Sequence, residues 1–121
     1  MNVLDASALL SYLQGEDGAS VVEARLSDGA ACGAANWSEV AQKVRGAARD
    51  WDLARALLSS HGLRVEPVTE DDAEWAAGRW VRGEGLSLAD RLCLALGERL
   101  DADVWTADAG WGTDGRVHQV R

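Results

Sequence analysis

Hydrophobic and polar positions along the chain fall into two periods, and the switches between them mark out strands and helices. Asn2 to Leu4 is a short apolar run that stops at Asp5, and Ala8, Leu9, Tyr12 and Leu13 follow at helical spacing. This predicts a strand and then a helix. Val21, Val22, Ala24, Arg25 and Leu26 suggest a second short helix closed near Gly29, and Ala30 to Ala34 is a weaker strand pattern. Asn36 then reads as the start of a helix lined by Val40, Ala41, Val44 and Ala47. Asp50 to Ser60 gives another helix, with Leu53, Ala54, Leu57 and Leu58 facing inward and Gly62 as its stop. Leu63 to Val68 alternates like a strand, Thr69 to Val81 is helical, and Gly83 and Gly85 break the pattern. Ser87 to Leu100 is the clearest amphipathic stretch, and Asp103–Thr106 and Val117–Val120 complete the strands.

Strands alternating with helices predict a mostly parallel sheet covered on both faces, an α/β/α sandwich. The lone proline is Pro67, and no linker, repeat or low-complexity segment divides the sequence, so residues 1–121 read as one domain. Ligands of such sheets bind outside the carboxyl ends of the strands. That rule selects Asp5 after the first strand, Glu39 in the first turn of the Asn36 helix, Asp90 in the first turn of the Ser87 helix and Asp108 after the Asp103–Thr106 strand. A second explanation covers the same residues. Asn36-Trp37-Ser38-Glu39 and Ser87-Leu88-Ala89-Asp90 fit a capping box, and Asp5 and Asp108 suit helix N-caps. Thr69-Glu70-Asp71-Asp72 has the same cap-to-acid spacing and no assigned chemistry, which makes it an internal control.

Composition bounds the classes. With 47% hydrophobic and 26% charged residues the chain is able to bury a core, unlike a disordered segment. Twenty Asp and Glu against twelve Lys and Arg give a net charge of −8, the opposite of the basic footprint of a protein that coats nucleic acid. Either the acids serve solubility or some of them gather to hold a cation. Cys32 and Cys93 lack further Cys or His at zinc-ligand spacing and read as buried free thiols. The first residues do not resemble a secretory signal, and no apolar run approaches the roughly 20 residues of a membrane span, so a cytoplasmic protein without membrane contact is expected.

On the Ser87 helix, a buried stripe of Leu88, Leu92 and Leu96 would put Asp90 at the margin of the core. Two carboxylates about 4 Å apart repel by about 4 kcal/mol at an effective dielectric of 20, and a divalent cation removes that repulsion. Hard oxygen donors without His or Cys point to Mg²⁺ or Mn²⁺ and to phosphoryl transfer to water. His61 and His118 are poorly placed for a Ser–His or Cys–His pair and read as structural.

These residues resemble the PIN-domain ribonucleases, specifically the VapC-like toxins of bacterial toxin–antitoxin pairs. The resemblance covers nearly the whole chain. It is carried by Val3-Leu4-Asp5-Ala6-Ser7-Ala8-Leu9-Leu10, by Asn36-Trp37-Ser38-Glu39-Val40, by Leu86-Ser87-Leu88-Ala89-Asp90-Arg91-Leu92-Cys93-Leu94-Ala95-Leu96, and by Thr106-Ala107-Asp108 followed by Trp111. It implies that Asp5, Glu39, Asp90 and Asp108 are the metal-binding, catalytic acids of a Mg²⁺- or Mn²⁺-dependent endoribonuclease that cuts RNA. It further implies a cognate antitoxin and a homodimer. Ser7 and Thr106 would contact the site or serve as caps, and Asp114 would be an accessory acid or part of the Thr113-Asp114-Gly115 turn. Ala89 and Ala109 depart from the Gly and Arg that relatives often carry there. Most of the six tryptophans suit a core or interface, with Trp111 a candidate for stacking on an RNA base. Arg45 and Arg49 are either phosphate contacts or solvated helix-face charges.

Two competing readings follow. One is a catalytically inactive PIN-like protein-binding module whose acids are only caps. The other, a phosphoacceptor receiver domain, is disfavoured because the lone lysine, Lys43, lies one helical turn beyond Glu39. Assigning four acids to a cation site halves the net charge left for the rest of the surface. The acidity then predicts RNA binding that is weak without metal.

Overall fold

In the computed structural model, which describes residues 1–121, five strands form one sheet in the order β3-β2-β1-β4-β5, with every neighbouring pair parallel. The strands are β1 (Asn2–Leu4), β2 (Ala30–Gly33), β3 (Arg64–Glu66), β4 (Asp103–Thr106) and β5 (Val117–Gln119). The helices are α1 (Ala6–Leu13), α2 (Ala19–Ser27), α3 (Ala34–Gly46), α4 (Trp51–Ser60), α5 (Glu70–Gly78) and α6 (Leu88–Leu100), with a 3₁₀ turn at Ala109–Trp111.

The central strand is buried on both faces because helices cover both. Leu4 joins a core with Leu9 of α1, Leu26 of α2, Val40 of α3 and Leu58 of α4, whereas the adjacent Val3 points the other way and joins Cys93 and Leu96 of α6 and Val104 of β4. This is the period of two that a two-sided sheet requires. Gly97 sets the approach of α6, because a Cβ there would collide with Val104 Cγ2. The α5 helix lies along α6 and is tied to it near both ends. Arg99 grips Asp72 at 3.0 and 3.1 Å, and Arg91 donates to the Ala76 carbonyl at 2.7 Å.

The predicted element order is present throughout, and three local expectations are corrected. The third helix opens at Ala34, with the extended Gly33 as its N-cap, so Asn36 is not a cap and Glu39 lies in the second turn. Ala34 and Ala35 are better helix formers than the Asn that follows. Leu53 and Leu57 face outward, at 69% and 42% exposure, since no other element of the chain covers that side of α4. Leu88 is 59% exposed because the first turn of α6 projects beyond the core, which the helix meets through Cys93, Leu96 and Gly97.

Candidate active site

The order of the sheet places a crevice outside the ends of β1 and β4, where the chain direction of travel across the sheet reverses. Asp5, Glu39, Asp90 and Asp108 all line this crevice, a cleft of about 300 Å³. Each arrives from a different element, namely the β1–α1 junction, α3, α6 and the turn after β4.

Asp5 is 4% exposed and caps α1 by accepting the Ala8 amide at 2.8 Å. Thr106 donates its hydroxyl to Asp5 Oδ2 at 2.6 Å, and the Ser7 hydroxyl donates to both carboxylate oxygens at 2.8 and 3.0 Å. These donors favour the anion, yet burial outweighs them, and together with the nearby Asp90 charge it pushes the Asp5 carboxyl up to about 6. Ser7 in turn accepts the Ala107 amide at 2.9 Å and Thr106 accepts the Asp108 amide at 3.0 Å, so both hydroxyls are structural links between the two strand ends.

Asp90 closes a capping box with Ser87, its Oδ2 accepting the Ser87 amide at 3.0 Å. Asp108 caps the 3₁₀ turn by accepting the Gly110 amide at 2.9 Å. Capping and cleft placement therefore coexist in Asp5, Asp90 and Asp108. The internal control separates them. Thr69 and Asp72 form the same box on α5, but there burial of the carboxylate is outweighed by Arg99 and by the Thr69 hydrogen bonds, which hold Asp72 below the usual carboxylate range. Asp90 has the box and no cation.

The expected Asn36–Glu39 capping box does not form. Asn36, 1% exposed, instead donates to Glu39 Oε1 at 3.2 Å and to the Ala89 carbonyl of α6 at 3.3 Å, which ties Glu39 to the helix that carries Asp90. Lys43 also lines the cleft and is its one basic side chain. Sequence reasoning missed both roles. The available signal was the i, i+4 spacing of Glu39 and Lys43 on one helix face.

All four acids supply hard oxygen donors, and one carboxylate oxygen of each of Glu39, Asp90 and Asp108 is left without a hydrogen bond. Such a set fits Mg²⁺ or Mn²⁺. No three of the acids converge into a preformed cage. Asp114 does not line the cleft, nor do the histidines. His61 meets the Tyr12 hydroxyl at 2.7 Å, and His118 stacks on Trp105. Cys32 and Cys93 are buried free thiols, pushed upward by burial and by the acids above them. No helix is long and apolar enough to cross a membrane.

A family model described as PIN domain matches residues 3–112. No curated protein matches the sequence. Among solved structures, a toxin–antitoxin complex from Klebsiella pneumoniae superposes with a TM-score of 0.80 at 17% identity, over 100% of this chain and 98% of the other. VapC20 of Mycobacterium tuberculosis, described as a toxin that cleaves the sarcin–ricin loop, gives 0.66 at 20% identity over 88% of each chain. FitAcB of Neisseria gonorrhoeae gives 0.66 at 19% identity, over 99% and 98%.

Proposed function

The chain belongs to the PIN-domain family, and on that premise we propose that it is a divalent-cation-dependent endoribonuclease serving as the toxin of a toxin–antitoxin pair. The observation that carries this reading is the meeting of four carboxylates from four separate elements in one cleft, with no arginine to neutralise them. Asp72, the other acid that closes a capping box, is paired instead with Arg99.

Asp5, Glu39, Asp90 and Asp108 would hold Mg²⁺ or Mn²⁺. When bound, the cation supplies Lewis-acid polarisation of a phosphate oxygen and a water of lowered pKa. The chain's own residues do the rest. Thr106 and Ser7 fix the Asp5 rotamer, and above about pH 6 Asp5 gives up the proton that would compete with a cation. Asn36 holds Glu39 in place opposite Asp90. Lys43 brings a positive charge to the cleft wall, where the scissile phosphate needs one and where Ala109 offers none. RNA as substrate is carried over from the relative described as cleaving the sarcin–ricin loop.

An apolar groove on the chain supports the antitoxin part of this reading. Leu10, Leu13, Val44, Leu53 and Leu57 line an apolar groove of about 370 Å³ between α1, α3 and α4, and Leu10 and Lys43 belong to both groove and cleft. An apolar segment seated there would overlap the cleft entrance, which suits an inhibitor. A homodimer in the cytoplasm completes the reading. The test is incubation of antitoxin-free protein with total RNA. Cleavage that needs Mg²⁺ or Mn²⁺ and stops in EDTA supports the proposal, and intact RNA, or cleavage indifferent to EDTA, refutes it.

A further inference from the structure

A second cavity, of about 330 Å³, lies beside the carboxylate cleft, between α5, α6 and the segment after β4. That is within the lower range of small-molecule sites, about 300–1,000 Å³. Part of its wall comes from the two segments that present Asp90 and Asp108. Leu86 in the lining immediately precedes Ser87, the cap that holds Asp90. Gly110, also in the lining, is bonded to the Asp108 carboxylate, and a Cβ on it would stand 3.1 Å from Asp108 Oδ1. A nucleotide whose phosphate occupies the cleft therefore has this cavity next to it.

The lining identifies the occupant. Trp75 and Trp111 contribute two indoles, the kind of surface on which an unpaired base stacks. The Trp111 N–H is buried and meets no acceptor, so no hydrogen bond fixes the ring against adjusting its plane. The charges exclude a phosphate. Arg79 is held by Glu84 at 2.7 and 3.0 Å, and Arg116 by Glu98 at 3.0 Å and Asp101 at 2.8 Å, so both cations are already committed. The charge left over in the lining is the carboxylate of Asp114. A carboxylate offers two acceptor oxygens side by side. Among the RNA bases, guanine alone presents a ring N–H and an amino group side by side on its Watson–Crick edge to meet them.

We infer that this cavity binds the guanine of the nucleotide adjoining the scissile phosphate, stacked on Trp75 and Trp111 and read by Asp114. Asp114 is thus a specificity residue and not an accessory metal acid. The inference rests on the ribonuclease reading, and its test separates the two. The 5′-monophosphates of guanosine, adenosine, cytidine and uridine are titrated in EDTA while the tryptophan indole N–H signals are followed by NMR. The phosphate is common to all four, so any preference reports the base. The expected result is that the guanosine nucleotide moves the Trp75 and Trp111 signals and binds about tenfold or more tightly than the others, a preference that Asp114→Asn removes without lowering the thermal midpoint. Equal shifts from all four, shifts confined to other tryptophans, or undiminished preference in Asp114→Asn would overturn the inference. RNA cleavage by a protein that shows no guanosine preference leaves the nuclease reading standing and removes this one. Guanosine-specific shifts in a protein that cleaves no RNA keep the guanine site but overturn the nuclease reading and the placement of that site beside a scissile phosphate.

Discussion

Thr106 donates a 2.6 Å hydrogen bond to Asp5 while accepting the Asp108 amide at 3.0 Å, so a single buried hydroxyl joins two of the cleft's acids across the ends of β1 and β4. Thr106→Val is isosteric and removes both bonds. It should lower stability by about 1–3 kcal/mol in urea denaturation, because the Asp5 carboxylate and the Asp108 amide each lose a partner. Thr106→Ser, which keeps the hydroxyl, should recover most of that loss.

Asp5 also sets a pH dependence. Folding raises its carboxyl from 3.8 to about 6, so between those values the native state keeps a proton that the unfolded chain has released. Stability from this group is therefore full below about pH 4, falls as pH rises, and is lost by about pH 6–7, a change on the order of 3 kcal/mol. Thermal denaturation in EDTA from pH 4 to 8 should show this fall in the wild type relative to Asp5→Asn, which has no proton to release. Saturating Mn²⁺ should reverse the trend, since a bound cation favours the ionised carboxylate.

The twin capping boxes give a paired test. Asp72→Asn strips Arg99 of its anionic partner at a buried position and should destabilise the protein by about 1–3 kcal/mol. Asp90→Asn should leave metal-free stability unchanged or raise it, because the substitution relieves repulsion of Asp5 and breaks no ion pair. Chemical denaturation of both variants in EDTA decides this, and equal losses would mean that Asp90 is only a cap.

Gly97→Ala tests how the site is positioned. The added methyl collides with Val104, so α6 must back away from β4, with a loss of about 1–3 kcal/mol despite the better helix propensity of alanine. A thermal midpoint equal to or above that of the wild type would contradict the close packing described for α6.

The legible part of the molecule was whatever local chemistry dictates. Ser87 and Thr69 are caps in the structure as their cap-to-acid spacing predicts, and the strand-end rule selected four acids that do line one cleft. The illegible part depends on what lies across from a residue. Leu53, Leu57 and Leu88 have the period of buried positions, but burial needs a covering element, and the fold supplies none there. Asn36 carries the signature of a cap, yet the helix begins at Ala34 with Gly33 as its cap, which leaves the Asn36 amide free to bridge Glu39 and α6. Lys43 shares the cleft, in keeping with its i, i+4 spacing from Glu39, whereas Asp114 lines the neighbouring cavity, which no sequence spacing sets.

The central claim is that four carboxylates form one cation site, and calorimetric titration of Mn²⁺ into the metal-free protein at pH 7.5 tests it most directly. The account predicts saturable binding by the wild type, weakened by about tenfold or more in each of Asp5→Asn, Glu39→Gln, Asp90→Asn and Asp108→Asn, with circular dichroism confirming that each variant is folded. No Mn²⁺ binding by the wild type, or undiminished binding by folded Asp5→Asn and Asp90→Asn, would contradict it.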